Sequence, residues 1–341
     1  MNNLVYHDPL LELRQPGRGA ACDTVFCVHA GDVIAGRFEL EQLAQAGGMG
    51  AVFVGRDRDN GAAVAIKILS TPGPSHEERF LREAALLADL RHPAIVRHIA
   101  HGRTPSGELY LVMEWLEGED LARRLSRGAL PIADAIALIR RVGEGLALLH
   151  DRGGVHRDLK PSNLFLHGGA ADQVKILDFG IARAAAAVAL TQAGLLVGTP
   201  GYTAPEQVRG LRDIDARADL FALGCVLFEC VAGRAAFPGE HVMAILARVL
   251  LDESPRLADA VPTVSPGLDA LVSGLLAKDP SRRTGSARDM LQQLDDLSLD
   301  PQSRPSSPLT PRPAALGTDE QRFMTLVVAT DVDRQDAITV G

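Results

Sequence analysis

The stretch VHRDLKPSNLFL, residues 155–166, sets His156, Arg157, Asp158, Lys160 and Asn163 between two apolar flanks. A loop that only had to connect two elements would have no use for that density of polar side chains. Asp158 and Asn163 are hard oxygen donors five residues apart, suited to Mg2+ or to accepting a proton. A second such segment, KILDFGIAR at 175–183, adds Asp178. Any one of the three also reads as an ordinary loop-capping side chain; the set together is far more specific.

Upstream, AGGMGAV at 46–52 carries Gly47, Gly48 and Gly50. Glycines let the backbone approach an anion with bare N–H groups, although a plain hairpin turn has the same composition. No Gly-Lys-Ser/Thr follows, so this is not a P-loop. A strand pattern rather than a helix comes next, which argues against a dinucleotide fold. Lys67 follows in VAIK, inside an apolar strand-like run. Burying its ammonium among Val64, Ala65, Ile66 and Ile68 is costly unless it is paired. Glu83, on the amphipathic segment whose apolar stripe is 80, 81, 84, 87 and 90, is the natural partner. Only four of the 35 basic residues are lysines, at 67, 160, 175 and 278. A retained lysine marks a place where a compact charge fits and a planar fork does not.

The rest of the chain frames these motifs. With 341 residues, 46% hydrophobic content and a net charge of −8, the chain supports a sizeable core and excludes nucleic acid or an anionic membrane as its main partner. Cys22, Cys27, Cys225 and Cys230 lack zinc-knuckle spacing and read as reduced thiols. The first residues form no secretory signal, and the longest apolar run, 220–233, is a buried helix rather than a membrane span. These features predict a cytoplasmic protein. Residues 1–33 read as an N-terminal extension. Strand patterns dominate 34–117, with one helix capped at Ser75. From 118 to 298 the pattern is helical, at 120–127, 132–150, 215–233, 240–251, 266–277 and 286–297. This is an α+β architecture in two lobes. Residues 299–341 begin as a Pro/Ser-rich linker and end in QRFMTLVVATDVD, a strand with no partner, read as the start of another domain.

In this order the motifs resemble the eukaryotic-type (Hanks-type) Ser/Thr protein kinases, close to their soluble bacterial branch. The matching residues are the glycine loop, VAIK, Glu83, HRDLKPSN, DFG, GTPGYTAPE at 198–206, Asp219 in ADLFALG and Arg283 in KDPSRR. The resemblance covers about residues 37–297. It implies a bilobal kinase fold, with a small antiparallel-sheet N-lobe holding one helix and a larger helical C-lobe. It implies ATP with Mg2+, Mn2+ being an alternative, and transfer of the γ-phosphoryl group to Ser/Thr hydroxyls of protein substrates.

By position, the resemblance implies that Lys67 binds phosphates and pairs with Glu83. It makes Asp158 the proton acceptor, Lys160 a cation at the γ-phosphate, and Asn163 and Asp178 the metal ligands. Val52, Ala65 and Leu164 would enclose adenine, with the Glu114 and Leu116 backbones bonding it and Met113 as gatekeeper. Glu119 or Asp120 would reach the ribose. Thr199 would line the hydroxyl site, Glu206 and Arg283 would form a structural ion pair, and Asp219 would brace the loop. Arg157 would pair with a phosphorylated activation loop, with Thr191 the acceptor in a transient dimer that autophosphorylates in trans, and 183–190 a short helix beforehand. One position departs: Gln45 stands where the family's first loop glycine is usual. That departure is what speaks for the alternative, a nucleotide-binding pseudokinase or scaffolding module.

Overall fold

The computed structural model describes residues 28–47, 50–69, 74–178, 200–211 and 213–299. Gly48, Thr191, Thr199, the 183–190 segment, Cys22, Cys27 and the C-terminal strand lie outside the described residues.

The N-terminal sheet is antiparallel throughout. Its order is β1 (Val33–Ile34), β2 (Phe38–Gly47), β3 (Gly50–Asp57), β4 (Ala63–Leu69), β6 (Leu109–Glu114) and β5 (His98–Arg103). Alternation along β4 decides what each face does. Val64, Ile66 and Ile68 are fully buried against Phe38, Leu40, Phe53 and Val112. Ala65 and Lys67 point the other way, the period-2 consequence of the pleat. That second face packs on helix α1 (Pro74–Asp89) through Leu69, Phe80, Ala84, Leu109 and Leu111. α1 starts at Pro74, so Ser75 sits inside the first turn instead of capping it. Proline suits the first helical position, where its missing N–H has no partner to lose.

A small second sheet, β7 (Gly118–Asp120), β8 (Leu164–His167) and β9 (Val174–Ile176), leads into the helical part. There the helices are α2 (Leu121–Leu125), α3 (Ile132–Asp151), α4 (Pro205–Val208), α5 (Arg217–Ala232), α6 (Val242–Leu251), α7 (Leu257–Ala260), α8 (Pro266–Leu275) and α9 (Ala287–Leu299). The helix expected from residue 120 uses Asp120 as its N-cap, the carboxylate accepting from Arg123 N at 2.8 Å. α5 is apolar nearly all round and correspondingly buried, the position of a central core helix. It stops at Gly233, whose φ of 68° is the left-handed C′ geometry that glycine adopts without strain. Among the described residues no helix is long and apolar enough to cross a membrane.

A half-buried carboxylate on α5, Glu229, works against stability. Glu229 accepts a hydrogen bond from the Tyr202 hydroxyl, and burial pushes its carboxyl above the ordinary 4.5. Between 4.5 and the raised folded value, the native state holds a proton that the unfolded chain has released. Stability therefore falls as pH rises through that window. Glu229→Gln keeps an acceptor for Tyr202 and removes the titration. The variant is expected to melt above wild type at neutral pH, with the gain disappearing below pH ~4; thermal melts at both pH values check it.

Candidate active site

The VHRDLKPSNLFL loop is shaped by its own prolines, charges and one buried acid. Pro161 opens a single 3-10 turn over Pro161–Asn163, the fixed φ of proline suiting that start. Asp219, at the first turn of α5 and 1% exposed, reaches under the loop. Its Oδ2 accepts from His156 N at 2.7 Å and its Oδ1 from Arg157 N at 2.7 Å. His150 Nε2 lies 2.9 Å from the same Oδ2. Those two backbone bonds hold Arg157 at φ 64°, a left-handed conformation that costs an ordinary residue about 1–2 kcal/mol. Gln207 Nε2 donates to Arg157 O at 3.0 Å, fixing the peptide unit on the other side of the same residue.

With the backbone so held, three side chains converge. Lys160 Nζ donates to Asp158 Oδ2 at 2.9 Å. Asn163 Nδ2 donates to Asp158 O at 2.8 Å and to Asp158 Oδ2 at 3.2 Å. Turning its amide nitrogen onto the loop leaves Asn163 Oδ1 as the atom available to a cation. His156, fully buried, receives Asp158 N on Nδ1 at 3.3 Å, so its other nitrogen carries the proton and donates to Leu177 O at 3.0 Å. Leu177 N in turn donates to Asn163 O at 2.8 Å. The loop and the residue preceding Asp178 are thus locked together by two hydrogen bonds.

Asp178 itself is bent to φ 44° and accepts from Lys67 Nζ at 2.7 Å across 111 residues of sequence. Burial alone would raise its carboxyl. The charge and hydrogen bond of Lys67, with His156 and Lys160 behind, instead hold it below the usual carboxylate range. Lys67 stands in β4 opposite Val52 on one side and Leu111 on the other. The carboxylate that the structure gives Lys67 is therefore Asp178; Glu83 lies on α1, and its side chain is outside the described residues.

On the same sheet face Ala65 pairs with Met113, and Val52 lies across from Lys67. Leu164, fully buried, begins β8 beneath. Glu114 N donates to Arg97 O at 3.0 Å; Leu116 follows, half-buried. The Glu114 carboxylate accepts from Lys175 Nζ at 2.7 Å and from Arg97 N at 2.9 Å. Gly47 faces Gly50 across β2 and β3. Gly50 has φ 147°, and a Cβ there would fall 2.1 Å from Ile68 O, so only glycine fits. Gln45 is exposed, opposite Val52 after a register shift in β2. Of the two carboxylates drawn to the ribose, Glu119 is held by Arg127 Nη1 at 2.6 Å and Asp120 caps α2.

Away from the cleft, Glu206 and Arg283 form a bidentate pair at 2.7 and 3.1 Å, with side chains 6% and 0% exposed. Arg157 turns its own side chain to solvent. The residues that motif reading passed over are His150, Lys175 and Gln207, each acting on the site through a neighbour. The scarcity of lysine was a signal for Lys175.

A sequence model of the protein kinase domain matches residues 38–294. The chain is 40% identical over 271 residues to serine/threonine-protein kinase pkn2 of Myxococcus xanthus, an overlap of 77% of this chain and 32% of pkn2. It is 37% identical over 265 residues to serine/threonine-protein kinase PknJ of Mycobacterium tuberculosis, covering 76% and 44%. With serine/threonine-protein kinase PknB of Mycolicibacterium smegmatis it shares 36% over 313 residues, covering 89% and 48%. The chain thus spans about a third to a half of the length of these relatives.

Proposed function

The chain belongs to the protein kinase family, and from that premise we propose that it is an active serine/threonine kinase using ATP and Mg2+. The observation that carries this reading is the 2.7 Å contact of Lys67 with Asp178, beside a loop in which Asp158, Lys160 and Asn163 already touch one another. Asp178 and Asn163 present carboxylate and amide oxygens, the donor set a hard divalent cation takes. When bound, that cation neutralises phosphate charge and orients the leaving group.

Asp158 orients the protein hydroxyl and takes its proton as the oxygen attacks the γ-phosphorus. The bond from that phosphorus to the bridging oxygen breaks, and ADP carries the electron pair away. Lys160, held 2.9 Å from Asp158, steadies the phosphoryl oxygens in flight. Lys67 holds the α- and β-phosphates, with Glu83 of α1 its partner in the loaded cleft. Val52, Ala65, Met113, Leu164 and the backbones of Glu114 and Leu116 receive adenine, and Gly47, Gly48 and Gly50 approach the phosphates. Thr199 lines the hydroxyl site. Arg157 reads phosphorylation of Thr191, made in trans within a transient dimer. The setting is the cytoplasm and the substrates are proteins.

Purified chain incubated with γ-labelled ATP and Mg2+ is expected to place label on Ser and Thr. Lys67→Ala should lower kcat by roughly 10²–10³-fold, the size of losing one preorganised charge-stabilising group. Label transfer undiminished in that variant assigns the activity to a contaminant and ends the reading.

A further inference from the structure

Residues three apart in a strand face opposite sides of the sheet. β5 breaks that rule at one place. His98 lies opposite Met113 and Ala100 opposite Val112, so one extra residue is inserted between them, a β-bulge. As a result Ile99 and Ala100, consecutive in sequence, both pack against the apolar cluster that contains Ile66 and Val112. His98 and His101 then emerge together on the other face. His101 Nδ1 lies 2.9 Å from His98 Nε2, with ring centroids 5.0 Å apart. Phe80 of α1 meets His101 edge-on at 6.5 Å, and Arg103 on β5 pairs with Glu77 on α1. The pair therefore sits where β5 and α1 pack.

We propose that His98 and His101 form a binding site for a divalent transition-metal ion of the zinc class. Two ring nitrogens aimed at each other at this separation either share one proton or offer lone pairs to a common ion. Tetrahedral zinc, with Zn–N of about 2.0–2.1 Å, sets its nitrogen ligands roughly 3.3 Å apart. The rings need to part by only a few tenths of an ångström. Imidazole favours zinc, copper and nickel, while Mg2+ prefers oxygen, so this site does not draw on the cation used with ATP. No group of three or more His, Cys, Asp or Glu gathers for a metal among the described residues. Water completes the coordination, and the affinity is moderate.

The location gives the site a use. His101, Leu111 and Lys67 occupy one row across β5, β6 and β4, and His98, Met113 and Ala65 occupy the next. An ion bridging the two histidines locks the bulge directly behind the gatekeeper Met113 and ties that register to α1.

The test is isothermal titration of the whole chain with Zn2+ in buffer holding excess Mg2+, for wild type, His98→Gln, His101→Gln and a Cys22→Ser/Cys27→Ser variant. The proposal expects one equivalent of zinc to be lost, or weakened at least tenfold, in each histidine variant and retained in the cysteine variant. Equal zinc binding in both histidine variants overturns it, as does loss only in the cysteine variant. Where a histidine variant fails to fold, Co2+ titration of wild type decides. A visible spectrum of nitrogen and oxygen ligation alone supports the site, and thiolate charge transfer accounting for all bound cobalt overturns it.

Discussion

Asp178→Ala is expected to abolish phosphoryl transfer, lowering kcat by more than about 10³-fold, or over ~4 kcal/mol in the barrier. The loss has two sources in the geometry. The carboxylate supplies the charged oxygen of the proposed cation site, with Asn163 offering only a neutral amide. It is also the partner 2.7 Å from Lys67, whose side chain is 17% exposed, so its removal leaves an ammonium half-buried without its counter-charge. Asp178→Asn separates chemistry from folding. Asparagine tolerates the φ of 44° found here better than alanine does. It keeps the shape and an oxygen, and it removes the charge. The Asn variant is expected to retain the wild-type fold by circular dichroism while losing transfer, and its nucleotide affinity should no longer depend on Mg2+. Transfer within tenfold of wild type in both variants would show that Asp178 is not the charge that serves the nucleotide.

Motif chemistry made most of this cleft legible in the sequence, because phosphate, cation and hydroxyl each restrict which side chains can serve. The alternation of β4 could likewise be read directly, and it put Lys67 and Ala65 on the same face. What could not be read was pairing over distance. The 2.7 Å contact of Lys67 with Asp178, 111 residues away, carries no signal along the chain. Spacing along a chain says nothing of which residues so far apart come into contact. His98 and His101 were invisible for another reason. They lie three residues apart, which in a regular strand puts them on opposite faces, and only the inserted residue of the bulge brings them to one face. Asp219 stood out from its motif. His150, which shares its Oδ2, did not, because a lone histidine late in an amphipathic helix carries no signal. α1 starts two residues before the position a Ser75 cap implies, because the proline ahead of that serine has the stronger claim to the first turn.

Arg283→Met is expected to be the most destabilising single change, costing about 3–5 kcal/mol. That corresponds to a fall in melting temperature on the order of 10 °C for a domain of this size. The guanidinium has no exposed surface. Its Nη1 donates to Glu206 Oε1 at 2.7 Å and to Arg217 O at 2.6 Å, its Nη2 to Glu206 Oε2 at 3.1 Å, and its Nε to Ala277 O at 3.0 Å. Phe221 lies against it at 5.1 Å. Methionine fills much of the stem's volume but leaves a buried carboxylate and two carbonyls unsatisfied, and that orphaning, not the lost attraction, dominates the cost. Removing both partners should therefore hurt less than the sum of the single changes. Glu206→Leu with Arg283→Met is expected to recover at least ~1 kcal/mol relative to additivity in urea unfolding. The consequence for activity follows from position. Glu206 stands on α4 beside Gln207, whose amide holds Arg157 O at 3.0 Å, one residue before Asp158. Loosening α4 frees the peptide unit that keeps Arg157 left-handed, so kcat should fall in Arg283→Met even well below its melting temperature. A fully active variant that melts lower would mean that Asp219 alone is enough to hold the loop.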